Sequence, residues 1–155
     1  MRILILAVGD KLPGWADTAV ADYVKRMPRE ARVEVVPVKP EKRSGQSAER
    51  IKALEAARIL DKLPAGCALA ALDEHGRELT TRELAQTLDG WLHSGRDVAL
   101  VIGGADGLAP EILDRAETRL SLSRLTLPHA LARVLLAEQL YRAWSLLANH
   151  PYHRD

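Results

Sequence analysis

The sequence predicts an α/β domain, a mostly parallel sheet with helices on both faces. Short apolar runs recur along the chain, and stretches of helical spacing separate them. Runs such as Ile3–Val8 and Val98–Ile102 are continuously apolar rather than alternating. That is the pattern of strands buried on two faces.

The elements follow in order. Ile3–Val8 is the first strand, ended by Gly9. Trp15, Ala19, Val20, Tyr23 and Val24 recur near helical spacing, and Pro28 stops that helix. Arg32–Val38 is a Val-rich second strand. Pro37 restricts its pairing and suggests an edge or a strand end. Ser47 caps a helix running to about Leu63, which Pro64 and Gly66 terminate. Cys67–Leu72 is the third strand. Thr80 and Glu83 have capping-box spacing and open a helix to about Trp91, closed by Gly95. Val98–Ile102 is the fourth strand. Pro110 suits the first turn of a helix over Ala109–Glu117. Leu120, Leu122, Leu125 and Leu127 bracket a fifth strand and loop. Pro128 opens a final helix to about Ala148.

Composition narrows the function. A length of 155 residues predicts one domain over 1–155. A net charge of +1 excludes a general basic coat, so nucleic-acid contact must come from local patches. The one cysteine, Cys67, cannot form an internal disulfide. No apolar run approaches the ~20 residues of a membrane helix. The N-terminus has a buried strand's pattern, not a signal peptide's. The expected location is cytoplasmic. The five histidines are scattered and no H-E-x-x-H or C-x-x-C occurs, so no metal is expected. G-x-S-x-G is also absent.

Ligands of open parallel sheets bind outside the carboxyl ends of the strands. Gly103-Gly104-Ala105-Asp106-Gly107 stands at one such end. It lacks the Gly-Lys-Ser/Thr of a P-loop and the spacing of a dinucleotide fingerprint. It is either a tight turn or a cofactor turn. Leu122–Leu127 is either an alternating strand or a loop that wraps an adenine ring. Lys39–Gly45 is either a solvated connection or a flexible basic arm for phosphates. The final helix is apolar on most sides, which favours partners on more than one side, including self-association. Its Glu138 and Arg142 are spaced to pair. His129 at its start is disfavoured as a cation. The tail Asn149–Asp155 is either solvated or a cluster that stacks on bases, binds phosphates and moves protons.

The strings LVIGGADGL and LSLSRLTLPHALARVLLAEQLYRAWSLLANHPYHRD together resemble the RlmH family of ribosomal RNA methyltransferases. So do ILAVGDKLPGW, the KRSG loop and LDEHGRELTTRELA. The resemblance implies a SPOUT-type domain with a C-terminal trefoil knot, a homodimer, and S-adenosylmethionine as methyl donor. It implies methylation at N3 of a pseudouridine in 23S large-subunit rRNA, in the helix 69 hairpin, on the assembled ribosome. Leu72, Gly103, Leu122, Ser123, Arg124, Leu125, Thr126 and Leu127 match the family's cofactor-binding positions, and Gly104 shares the turn.

The expected chemistry needs neither metal nor covalent intermediate. The enzyme holds N3 in line with the activated methyl group. His129, His153 or a water accepts the imide proton, and Arg154 stabilises the developing anion. Lys42, Arg43, Arg133, Tyr152, His153 and Arg154 are the candidate RNA contacts. The competing readings are a methyltransferase for another RNA nucleotide and a non-catalytic ribosome-binding protein of the same fold. A nicotinamide oxidoreductase is disfavoured by the glycine spacing.

Overall fold

The computed structural model describes residues 1–9 and 11–154. The strands are β1 (Arg2–Val8), β2 (Arg32–Val38), β3 (Ala68–Glu78), β4 (Val98–Ile102) and β5 (Thr118–Ser121). The helices are α1 (Gly14–Arg26), α2 (Ala48–Asp61), α3 (Thr81–Ser94), α4 (Pro110–Arg115) and α5 (His129–Leu147). Single 3-10 turns lie at Arg29–Ala31 and Pro151–His153. The strands form one sheet in the order β2-β1-β4-β3-β5, with every pair parallel.

Alternate residues of each strand point to opposite faces. Ile3, Ile5, Leu100 and Ile102 meet Leu84 and Leu88 of α3, Leu136 and Leu140 of α5, and Val24 of α1. Leu4, Leu6, Val8, Ala99 and Val101 meet Ala56 and Ile59 of α2 and Ile112 of α4. The predicted layers of helix on both faces are therefore present. α5 packs between α1 and α3, so most of its apolar surface is covered within the chain, although Leu131 and Leu147 stay exposed.

The local signals act where the sequence places them. The Ser47 hydroxyl accepts from the Arg50 amide at 3.2 Å. Thr80 and Glu83 form a reciprocal capping box. Gly95 closes α3 with φ +71. β2, which carries Pro37, is an edge strand.

Two strands differ from expectation. β3 continues past Leu72 to Glu78, and the fifth strand is only Thr118–Ser121, leaving 122–128 without regular structure. The cause is a register shift. Leu72 and Arg77 both pair with Leu120, so the intervening residues bulge out. Gly76 permits this, because a Cβ there would lie 2.8 Å from the Leu120 backbone.

The chain leaves β1 toward the β2 edge and leaves β4 toward the β5 edge. β1 and β4 are neighbours, so a crevice opens between their carboxyl ends, at a topological switch point.

Gly76→Ala should push β3 and β5 apart and destabilise the fold by about 1–3 kcal/mol, read from the urea midpoint. An unchanged midpoint would show that the bulge relaxes freely.

Candidate functional site

A cleft of about 730 Å³ opens at that switch point, bounded by Val8 and Gly9 after β1, Gly103 and Gly104 after β4, and the start of α5. The glycine run folds back on itself, the Gly107 amide donating to the Gly104 carbonyl at 3.0 Å. A Cβ on Gly103 would lie 2.7 Å from the Gly107 carbonyl carbon. One on Gly104 would lie 3.0 Å from Glu55 Oε1. Both positions therefore require glycine, because the turn packs tightly on Gly107 and on Glu55 of α2.

The other expected cofactor positions issue from neighbouring strands, since β4, β3 and β5 are contiguous. Leu72 and Leu122 line a second cavity of about 320 Å³ with Leu79, Leu120 and Leu136. Leu127 lines the main cleft. The Ser123 hydroxyl accepts from the Leu125 amide at 2.9 Å, and Ser121 Oγ donates to the Ser123 carbonyl at 3.0 Å. These bonds shape an irregular loop rather than a strand. Arg124 and Thr126 are exposed on it, and Leu125 is 76% exposed. An apolar side chain held out in this way is suited to closing over a flat ring. Leucines and a glycine turn are a lining that suits a methyl donor with an apolar ring, and they are divided between the two cavities.

The basic segment is not a free arm. Buried Glu55 accepts from the Glu41 amide at 3.0 Å. Arg58 pairs with Glu41 and donates to the Lys39 carbonyl at 3.0 Å. Arg43 pairs with Asp106 of the glycine run at 2.8 Å. The loop is thus pinned against the cleft, with Lys42 exposed. Glu55 was not among the expected site residues. Its signal is its place between Ile51 and Ile59 on the apolar side of α2.

His129 and Arg133, one turn apart on α5, line the cleft. Arg133 is 5% exposed. Its Nε and Nη2, and Nε2 of His129, are buried without a hydrogen-bond partner. Burial, assisted by the Arg133 charge, pushes the His129 pKa down to about 4. His129 is therefore neutral at pH 7 and a weak proton acceptor.

The tail occupies the other end of α5. The Tyr152 hydroxyl donates to Glu138 at 2.8 Å and lies 3.4 Å from the Tyr23 hydroxyl. Burial and these hydrogen bonds raise the Tyr152 pKa. Glu138 also pairs with Arg142 at 3.0 Å, whose guanidinium sits 5.0 Å from the Tyr152 ring centre. His153 is half-buried with Nδ1 unpartnered, and Arg154 is exposed. The tail is therefore docked rather than solvated through Arg154, and Asp155 lies outside the described residues. The Tyr152 ring packs on Tyr141, 4.6 Å between centres. Tyr141 is about 18 Å along the helix from His129 at 1.5 Å per residue. One chain thus brings His129 and Arg133 together with the glycine turn, but not with His153 and Arg154. Among the described residues no cluster of three His, Cys, Asp or Glu could hold a metal ion. No helix is long and apolar enough to cross a membrane.

Gly103→Ala should weaken S-adenosylmethionine binding about tenfold or more in calorimetry, since the turn must open to admit the methyl group. The His129 pKa carries a second prediction. The unfolded imidazole, near 6.5, binds a proton more readily than the folded one near 4. Its contribution to stability is therefore present above about pH 6.5 and is lost as pH falls toward 4. The urea midpoint of His129→Gln should fall less than that of the wild type across this window.

Residues 1–153 match the family model described as predicted SPOUT methyltransferase. A protein of Burkholderia lata named ribosomal RNA large subunit methyltransferase H is 59% identical over 155 residues, 99% of each chain. A protein of the same name from Ralstonia nicotianae is 57% identical over the same span. A solved structure described as a probable methylase family protein from Haemophilus influenzae covers 97% of this chain and 67% of its own, with a TM-score of 0.58 at 16% identity. That likeness concerns the fold. Together with the glycine turn and the loop beside it, these matches establish that the chain belongs to the SPOUT methyltransferases, within the RlmH family.

Proposed function

We infer that the protein is a ribosomal RNA methyltransferase. In our reading its donor is S-adenosylmethionine and its target is N3 of a pseudouridine in the helix 69 hairpin of 23S rRNA, on the assembled ribosome. The observation that carries the reading is that the Gly103–Gly107 turn after β4 and the Leu122–Leu127 loop after β5 leave the same end of the sheet, with Leu127 on the cleft beside Gly103, in a chain of this family. The reading includes the family's trefoil knot and a cytoplasmic homodimer.

When bound, S-adenosylmethionine supplies a methyl group already activated by its sulfonium. The chain then has three tasks. Gly103 and Gly104 expose main-chain groups to the cofactor, while Leu72, Leu122, Leu125 and Leu127 surround its ring. Ser123, Arg124 and Thr126 complete that loop. The RNA base must be held in line, where proximity supplies much of the rate. The N3 proton must leave. His129 is a weak acceptor at its depressed pKa, so this task falls to His153 or a water, with Arg154 stabilising the anion. Lys42, Arg43, Arg133, Tyr152, His153 and Arg154 contact the RNA.

The length of α5 separates the tail from the cleft within one chain. A dimer removes the difficulty by placing the tail of one protomer against the cofactor loops of its partner. The exposed Leu131 and Leu147 of α5, Leu125 of the loop and Trp15 of α1 supply apolar surface for such an interface.

Labelled methyl transfer to large subunits and assembled ribosomes lacking the modification, and to naked rRNA, tests the reading. Labelling of ribosomes at one pseudouridine N3, with little on naked RNA, is expected. No labelling of any substrate would leave a ribosome-binding protein of the same fold. The shared site has its own test. Gly103→Ala and Arg154→Ala should each be inactive alone, and an equal mixture should recover about a quarter of wild-type activity through mixed dimers. No recovery would place the whole site within one chain.

A further inference from the structure

We propose that Arg133, together with His129 and the first turn of α5, forms a seat for one phosphodiester of the RNA inside the cleft. The proposal rests on the reading of the chain as an rRNA methyltransferase, and it assigns His129 to binding rather than proton transfer. Its basis is a concentration of donors with no acceptor. Arg133 carries five N–H groups and a permanent charge. Its buried Nε and Nη2 have no partner among the described residues. Buried charges are otherwise paired, because desolvation is expensive. Burial lowers the Arg133 pKa, and the opposing field comes from Asp17, an exposed residue of α1 with no bond to Arg133. His129 adds a second buried, unpartnered nitrogen at the first residue of the helix. α5 has no side-chain cap, and its first turn has no acidic residue. Its first amides therefore add further unsatisfied donors and the positive end of the helix dipole.

Arg133 and His129 face the cleft together, packed against the bare backbone of Gly9. A Cβ on Gly9 would lie 3.0 Å from Arg133 Nη2 and 3.4 Å from His129 Cε1. The carboxylates of the cleft are committed elsewhere. Glu41 pairs with Arg58, Glu55 holds the Glu41 amide, and Asp106 pairs with Arg43. Lys11 and Arg43 line the rim, as suits a polyanion entering from solvent. The carboxylate of the methyl donor is the other available oxyanion. It would carry its ammonium group against the same cations, where the cleft's carboxylates among the described residues are already committed. A phosphodiester carries no such cation.

The test compares wild type with Arg133→Met, which keeps the length and removes an unpaired buried charge. In chloride the variant should melt at or above the wild-type temperature. Orthophosphate added at constant ionic strength should raise the wild-type melting temperature saturably and leave the variant unmoved. Gly9→Ala, whose methyl would press on the Arg133 guanidinium while keeping its charge, should lose the same response. Unmodified large subunits should bind Arg133→Met about tenfold more weakly. The slope of log affinity against log salt should fall by about one. S-adenosylmethionine affinity should be unchanged. A phosphate response retained in Arg133→Met overturns the seat. A lost response with normal subunit affinity and slope means a free-phosphate site and overturns the RNA assignment. Weakened S-adenosylmethionine binding with normal subunit affinity assigns the anion to the donor carboxylate instead. Failure of the wild type to methylate subunits would refute the functional reading separately, and the phosphate response would still decide the seat.

Discussion

The parallel pairing of β1 with β4 positions the rest of the molecule. Ile3 to Ala7 run in register with Val98 to Ile102, and all ten residues are buried. Two central strands packed on both faces cannot slip without moving both cores, so their carboxyl ends stay level. Gly9 and Gly103 therefore emerge side by side. The connections then part toward opposite edges of the sheet, and a cleft remains where no connection covers it.

α5 joins that cleft to the tail, and its two ends handle polar groups in opposite ways. From its middle onward, Tyr152, Glu138 and Arg142 satisfy one another, with Tyr23 beside them. Such a network rigidifies the surface it holds, which is how Tyr152 and His153 come to be docked. At the N-terminal end, Nε and Nη2 of Arg133 and Nε2 of His129 are buried with no partner among the described residues. A lone buried cation costs the fold several kcal/mol, about the range seen when one partner of a buried pair is removed. A small domain tolerates that burden most readily where the missing partner is a ligand.

A net charge of +1 is unusual for a protein that handles RNA, and the ion pairs sharpen the point. Arg2, Arg43, Arg58 and Arg96 are each bound to an acidic residue, so they tie loops together rather than coat a surface. RNA contact then depends on a few positions with charge to spare. That favours recognition of a shaped ribosomal site over binding to nucleic acid in general.

Much of the fold was legible in the sequence because it rests on local signals. Continuous apolar runs marked the buried strands, and Ser47, the Thr80–Glu83 box, Gly95 and Pro110 marked helix ends through bonds made within a few residues. The order of the strands, the β3 bulge and the partner of Glu55 were not legible. Each depends on residues distant in sequence, such as Leu120 against Gly76 or the Glu41 amide against Glu55. The chain by itself determined which segments become strands and helices, and its motifs carried the family. Only the tertiary structure decided that Arg133 and His129 keep buried nitrogens with no partner among the described residues, that the basic loop is pinned, and that the tail docks far from the cleft. Side-chain desolvation and pairing are set by what surrounds a residue in space, and a linear pattern of residues does not contain that.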